Sequence, residues 1–328
     1  MSWRRRTRLA AALGVVLTGV APRLDAQRGH TGRSASVTPD PGPIAWFSAG
    51  EFVMGADALA LHYAETLCVR DLRARAEVLG IDPRLTRVAE LFQRRVRACL
   101  GEGFVGDVCG ASLFLQEAGE RIVWLPRFGL DRREVTVEEY HRCVLAGPCP
   151  SPLFPLGTRT YGEPTLPVTG VSWSAARAYC AWRGARLPTE AEWERAARGR
   201  EARNFPWGSL YDPGRFNHGS VTDDCRDDDD GYGFAAPVGS FPSGATPEGV
   251  LDLAGNAQEW VEDHMAPEPL PGSFPRLVAP RGEADDGRRV ARGGAWDHPG
   301  WMGRTTARLL LLPDTRLPDL GFRCAWDR

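Results

Sequence analysis

Lysine is absent from this chain of 328 residues, so all 40 of its basic side chains are arginines. These arginines show no clustered basic face and the formal net charge is −2, which argues against a nucleic acid as partner. No two of the 8 cysteines have the CxxC spacing of a zinc site. The apolar run at residues 9–20 is too short to cross a bilayer, so no membrane span is expected.

The N-terminus has the pattern of an export signal. Four arginines precede the apolar run, and small residues follow it at Ala21 and Ala26. This order predicts a signal peptide at residues 1–26 and a periplasmic or secreted protein, with both the general and the twin-arginine route open. Residues 27–43 are rich in glycine, serine, threonine and proline, which predicts a flexible lead-in.

Eight cysteines in an exported chain favour disulfides over free thiols. Cys143 and Cys149 are separated by only five residues, so they can close a small loop beyond a helix.

Local signals predict three helices between residues 136 and 199. Two segments carry a threonine N-cap with a glutamate three residues later and a glycine after the last turn; they run from Thr136 to Gly147 and from Thr189 to Gly199. A short helix is expected at residues 175–182. The 37 glycines and 26 prolines that punctuate the remainder are typical of a loop-rich α+β domain.

Four sequence blocks carry a family resemblance. They read GARLPTEAEWERAARG at 184–199, LAGNAQEWV at 253–261, RGG at 292–294 and GFRC at 321–324. In this order and spacing they resemble the formylglycine-generating enzyme family, also called the sulfatase-modifying-factor domain. The resemblance implies a C-type-lectin-like fold with short sheets and long ordered loops over residues 44–328. It also implies a disulfide between Cys180 and Cys324.

The chain carries about sixty residues that the family pattern lacks, at about 57–120. Residues 59–79 are helical in composition, and Asp82-Pro83 is a helix start. We interpret this insert as a helical hairpin that is stapled through Cys68 or Cys99 and packed on the edge of the domain. Three pairings of Cys68, Cys99, Cys109 and Cys225 stay open. The insert is either a decoration or a partner-binding element.

Family members that oxidise a substrate cysteine bind copper through two cysteines shortly after the Arg-Gly-Gly block. Residues 295–304 contain no cysteine here. Ala295 stands where active members have a serine, and Gln258 stands where the Gly-Asn block normally has a tryptophan. Soft thiolates suit copper(I), so copper is not expected.

Calcium is the cofactor that the resemblance implies. The acidic run at 223–230 does not have EF-hand spacing. Residues between 217 and 259 nevertheless match two calcium sites of the family. The first set of expected ligands is Asn217, His218, Asp230 and Tyr232. The second set is Asp252, Gly255, Ala257 and Glu259.

Two residues after the Arg-Gly-Gly block, together with the earlier His264, are candidates for other chemistry. Asp297, His298 and His264 have the residue types of a two-His-one-carboxylate iron site. Trp296, Trp301, Arg304 and Gln258 are expected to line the former cleft, with buried packing as the alternative for the two tryptophans.

The combined expectation is a protein- or peptide-binding module without copper oxidase activity. A metal-dependent oxidoreductase with unrecognised ligands is the alternative, and a structural subunit of a cell-surface assembly is a third possibility.

Overall fold

The computed structural model describes residues 44–78, 94, 109, 114–220, 228–264, 276–280 and 287–327. All of these residues belong to one compact unit, Pro39–Arg328. Several expectations lie outside the described residues: the signal peptide at 1–26, the lead-in at 27–43, the helix beginning at Asp82, and the pairing of Cys99 and Cys225.

The described residues form ten short strands in three sheets. The strands are β1 (Ile44–Phe47), β2 (Gly50–Met54), β3 (Arg121–Leu125), β4 (Phe128–Asp131), β5 (Gln258–His264), β6 (Arg276–Val278), β7 (Arg289–Arg292), β8 (Arg308–Leu311), β9 (Leu320–Gly321) and β10 (Ala325–Trp326). The sheet orders are β1-β4-β10, β2-β3-β6 and β8-β7-β5-β9. Most neighbours are antiparallel, but β3 with β6 and β5 with β9 are parallel. Long ordered loops connect the strands, which confirms the α+β, loop-rich class.

Four α-helices accompany the sheets among the described residues. They are α1 (Ala58–Val78), α2 (Val137–Ala146), α3 (Trp173–Trp182) and α4 (Glu190–Arg198). Both expected capping boxes are present: the hydroxyl of Thr136 accepts from the Glu139 amide, and that of Thr189 accepts from the Glu192 amide. The α2 helix ends at Gly147 with φ 98°, a left-handed conformation that suits glycine.

Every residue of α4 is buried, although the helix contains three glutamates and two arginines. Buried charges need partners. Arg292 at the end of β7 supplies one, because its guanidinium donates to Glu190 at 3.1 Å and to Glu194 at 2.7 Å. Trp193 donates from its indole to Glu259 at 2.8 Å. Charged and aromatic contacts thus fix α4 against β5 and β7.

Three disulfides link the described cysteines. Cys180 pairs with Cys324 and Cys143 pairs with Cys149, as expected. Cys68 of α1 pairs with Cys109, which selects one of the alternatives that the sequence left open. The disulfide between Cys180 and Cys324 joins α3 to the C-terminal segment, across a sequence separation of 144 residues.

The α1 helix belongs to the insert and packs on the segment after the Arg-Gly-Gly block. Its buried residues Ala64, Leu67 and Cys68 share a hydrophobic cluster with Trp301 and Met302. The expected helix at 59–79 is therefore present, its disulfide to Cys109 lies within the insert, and the helix packs on Trp301 and Met302. In the part of the chain that the structure describes, no helix has both the length and the apolar character to span a bilayer.

Candidate functional site

The segment after Arg292 turns sharply and packs against the 253–261 block. Gly294 has φ 70°, and a Cβ there would approach the Met302 backbone to 3.0 Å, so the turn requires glycine. The Trp296 amide donates to the Asn256 carbonyl at 3.0 Å. These contacts hold residues 295–304 in one defined conformation at the centre of the domain.

Asp297, His298 and Asp319 come together in this segment. His298 Nε2 lies 3.1 Å from Asp319 Oδ2, and one ligand atom from each of the three residues lies within 4.8 Å of the others. Asp319 reaches the cluster because β9 runs parallel to β5, and its carbonyl accepts from the Gln258 amide at 2.7 Å. His298 is 2% exposed and Asp319 is 5% exposed, so the cluster is largely shielded from water.

His264 does not join this cluster, so the expected grouping of Asp297, His298 and His264 is wrong in one member. His264 ends β5 at the opposite end from Gln258, which is about 20 Å away at the usual rise of a strand. Its Nδ1 lies 3.1 Å from the Arg288 carbonyl oxygen. Asp319 takes the third position instead.

Burial and charge shift the titration of the cluster. Burial and the neighbouring charge of Asp319 raise the pKa of Asp297 to about 7. Burial lowers the pKa of His298, but its hydrogen bond to Asp319 and the charges of both carboxylates outweigh that effect and raise the pKa above its usual value. Without a cation, the cluster therefore holds protons near neutral pH.

The four residues expected to line the cleft are all buried. Trp296 is 4% exposed and contacts the rings of Tyr161 and Phe234, while Trp301 packs edge-on against Phe114 at 5.8 Å. Packing, the alternative left open by the sequence, is therefore the arrangement of both tryptophans.

The guanidinium of Arg304 forms a bidentate pair with Glu117, at 2.6 and 2.7 Å, and thereby anchors the end of the insert. Gln258 is 1% exposed, and neither atom of its side-chain amide has a hydrogen-bond partner.

The residues present do not fit the copper site of the family. Residues 295–304 contain no cysteine, and all six cysteines within the described residues are in disulfides. A disulfide sulfur cannot act as the thiolate that copper(I) requires. No step of thiolate–copper chemistry can therefore be derived for this part of the chain.

The first calcium set fits a hard cation. The Asp230 carboxylate accepts from the amides of His218 at 2.7 Å and Tyr232 at 2.9 Å, so these residues form one cluster. Asn217 is fully buried, and its side-chain oxygen has no hydrogen-bond partner. Side-chain amide oxygens and carboxylates are the donor types that calcium uses, and Asn217 directly precedes the residue whose amide contacts Asp230.

The second calcium set fits a dication by charge. Glu259 and Asp252 lie beside Glu134, and Arg323 is the guanidinium that faces these three buried carboxylates. Burial, together with the charges of Asp252 and Glu259, raises the pKa of Glu134 well above its usual value. Glu259 already accepts from Arg323 at 2.6 Å, so it would have to serve both partners. Gly255 and Ala257 belong to the buried loop that precedes it.

A cavity of about 410 Å³ opens between α1 and the C-terminal end of α4. Its lining includes Leu59 and Tyr63 from α1, Arg198 from α4, and Leu210. Leu59 and Leu210 are 75% and 76% exposed, which places two large apolar side chains at its rim. Arg198 is 2% exposed, and its Nε and Nη1 have no hydrogen-bond partner.

Comparison with known proteins identifies the family. The model of the sulfatase-modifying factor enzyme 1-like domain matches residues 101–328, which is more than half of the chain. The chain therefore belongs to this family, as the four sequence blocks indicate. The strands β1 and β2 precede the matched residues but pair with β4 and β3 inside them.

Two curated relatives and one solved structure illustrate the similarity. The chain is 39% identical over 168 residues to the inactive C-alpha-formylglycine-generating enzyme 2 of Bos taurus, covering 49% of this chain and 50% of the relative. It is 40% identical over 181 residues to the formylglycine-generating enzyme of Streptomyces coelicolor, covering 51% and 54%. The chain thus spans about half the length of these relatives.

The structure of PvdO from Pseudomonas aeruginosa aligns with a TM-score of 0.56 at 22% identity, covering 87% of this chain and 94% of PvdO. This likeness shows the shared fold, which is of the formylglycine-generating-enzyme, C-type-lectin-like type.

Sequence reasoning missed two carboxylates of the candidate sites, Asp319 and Glu134. Asp319 lies 22 positions after Asp297 in a polar loop, and only the parallel pairing of β9 with β5 brings it to His298. Glu134 lies two residues before the N-cap of α2, and its carboxylate accepts from the backbone amide of Ala257 at 2.9 Å. No local motif marks Asp319, and the contact of Glu134 spans 123 positions, so no local signal predicts it.

We expect the Arg304–Glu117 pair to hold the insert on the domain. Glu117→Gln leaves the buried guanidinium without its counter-charge, which should lower the free energy of unfolding by about 3 kcal/mol. Hydrogen exchange in α1 should accelerate as well. Glu138→Gln, which removes the exposed partner of Arg142, is the control and should change stability by less than about 0.5 kcal/mol. Equal effects of the two variants in urea unfolding would contradict this assignment.

Proposed function

We propose that this chain is an exported member of the sulfatase-modifying-factor family that binds a protein or peptide segment and does not oxidise cysteine with copper. The proposal rests on the lack of free thiols among the described residues. Residues 295–304 have no cysteine, and every described cysteine is in a disulfide. Three disulfides also favour an oxidising compartment, which supports export to the periplasm or medium.

The former cleft is a poor place for the ligand, because Trp296 and Trp301 are packed in the interior. The cavity beside α1 is better suited. Its rim presents Leu59 and Leu210 to solvent, and its wall includes the carboxylates of Asp57 and Glu120, the second of which lies 3.8 Å from Arg198. Backbone N–H groups or the terminal ammonium of a peptide would pair with these carboxylates while its apolar side chains cover the leucines.

Peptides selected from a random library for binding to the full chain test whether this cavity is the binding site. Leu59→Ser and Leu210→Ser should each weaken binding of the selected peptides at least about 10-fold, because each removes an apolar contact that is worth about 1.4 kcal/mol or more. Leu312→Ser is the matched control, since Leu312 is 62% exposed on another surface. Selected peptides that bind all three variants as tightly as the original chain would argue against this cavity.

A second candidate function is metal-dependent oxidation. One observation favours it: Asp297, His298 and Asp319 present three ligand atoms in one buried cluster. Metal-dependent oxidation requires both a bound metal ion and turnover of a substrate. Peptide binding without turnover separates the first candidate from the second.

We also propose calcium as a structural ion at Asn217, His218, Asp230 and Tyr232, with Asp252, Gly255, Ala257 and Glu259 as a second set. The support is the orphaned oxygen of Asn217 and the excess of buried carboxylates over guanidinium groups near Glu259. The first ion would join the segment of Asn217 and His218 to that of Asp230 and Tyr232, and the second would hold residues 252–259 in place.

Removal of calcium should therefore lower thermal stability. If the dissociation constant is about 0.1 mM, calcium at about 1 mM stabilises the fold by about 1.4 kcal/mol for each site, and chelation should reverse this gain. Asp230→Asn should reduce the calcium-dependent shift in melting temperature, because Asp230 belongs to the first set. Asp229→Asn, which changes an exposed neighbour, should leave the shift intact. A melting temperature that ignores calcium in the original chain would contradict the proposal.

A further inference from the structure

Buried polar atoms without partners are concentrated around His298. The atoms are His298 Nδ1, Asp297 Oδ1, Trp296 Nε1 and both amide atoms of Gln258. A buried polar group without a hydrogen bond costs about 1–3 kcal/mol, so several of them in one place indicate a missing ligand or water. Backbone hydrogen bonds bring the segments of these residues together. The Trp296 amide donates to the Asn256 carbonyl, and the Gln258 amide donates to the Asp319 carbonyl.

The donor set selects the class of ligand. It offers one imidazole nitrogen and two carboxylate oxygens, from His298, Asp297 and Asp319, and no thiolate. Imidazole and carboxylate together suit divalent ions such as zinc, manganese and iron, whereas copper(I) needs soft sulfur. The two carboxylates carry the charge that a dication neutralises.

The spacing of the atoms suits a metal ion. Ligand atoms that lie about 2.0–2.2 Å from a zinc ion are up to about 4.2 Å apart. His298 Nε2 lies 3.1 Å from Asp319 Oδ2, which is within that range, so an ion bound between these atoms would replace their direct contact and leave Nδ1 to a water; the full set is within 4.8 Å. Small rotations of the aspartates therefore suffice. Asp297 is only partly buried, so an ion can enter from its side.

We infer that Asp297, His298 and Asp319 form a binding site for a first-row divalent metal ion, with the side-chain amide of Gln258 as a neighbouring polar group. This site differs from both calcium sets, which consist of oxygen donors. It is also independent of the cavity beside α1, so it stands or falls separately from peptide binding.

Zinc titration of the full chain in saturating calcium tests the site. Calcium keeps the oxygen-only sets filled, so the probe reports on the remaining donors. The original chain should bind one zinc ion. The affinity for this ion should be at least about 100-fold weaker in His298→Gln and in Asp319→Asn. Asp314→Asn is the matched control, because Asp314 is an exposed aspartate in the loop that leads to Asp319.

A second measurement uses only the original chain, so it does not depend on whether the variants fold. In the original chain labelled with ¹⁵N-histidine, the ring nitrogen resonance of His298 should shift when zinc is added. Two results would overturn the inference: no zinc bound in saturating calcium together with an unmoved His298 resonance, or equal zinc affinity in folded His298→Gln and the original chain. Loss of zinc in Asp314→Asn to the same degree would also count against it, because the effect would then not be specific to the cluster.

Discussion

The guanidinium of Arg323 is the contact on which the rest of the domain depends. It is fully buried, and it donates to Glu259 at 2.6 and 2.8 Å and to the carbonyls of Asp131 and Leu251. Through Glu259 it also reaches the indole of Trp193. A buried charge of this kind is tolerated only when its donors are satisfied, so four separate segments must meet in one arrangement. The disulfide of Cys324, one residue later, then ties the same point to α3.

The sequence blocks that reveal the family are largely these scaffold contacts. Arg292 of the Arg-Gly-Gly block holds α4 through Glu190 and Glu194, and Arg323 holds the Gly-Asn block through Glu259. Such residues can persist after a catalytic centre has been lost, because they stabilise the fold and do not take part in chemistry. Recognition of the family is therefore strong evidence for the fold and weak evidence for an activity.

Local features of the fold could be predicted from the sequence, whereas long-range features could not. The capped helices at Thr136 and Thr189 follow from neighbouring residues, and the structure contains both. The burial of Trp301 depends on α1, an insert whose position no local signal specifies. Asp319 joins His298 only through the pairing of two strands far apart in sequence. The same limit applied to Cys68, whose partner Cys109 was one of several choices.

The central claim is that this domain keeps the family scaffold without its thiolate–copper chemistry. The most direct measurement is mass spectrometry of a cysteine-containing peptide incubated with the copper-supplied protein under oxygen, with a formylglycine-generating enzyme run in parallel. Our account predicts that the peptide cysteine stays unconverted while the parallel enzyme produces the aldehyde. Formation of the aldehyde by this protein, at more than the rate of copper alone, would contradict the account.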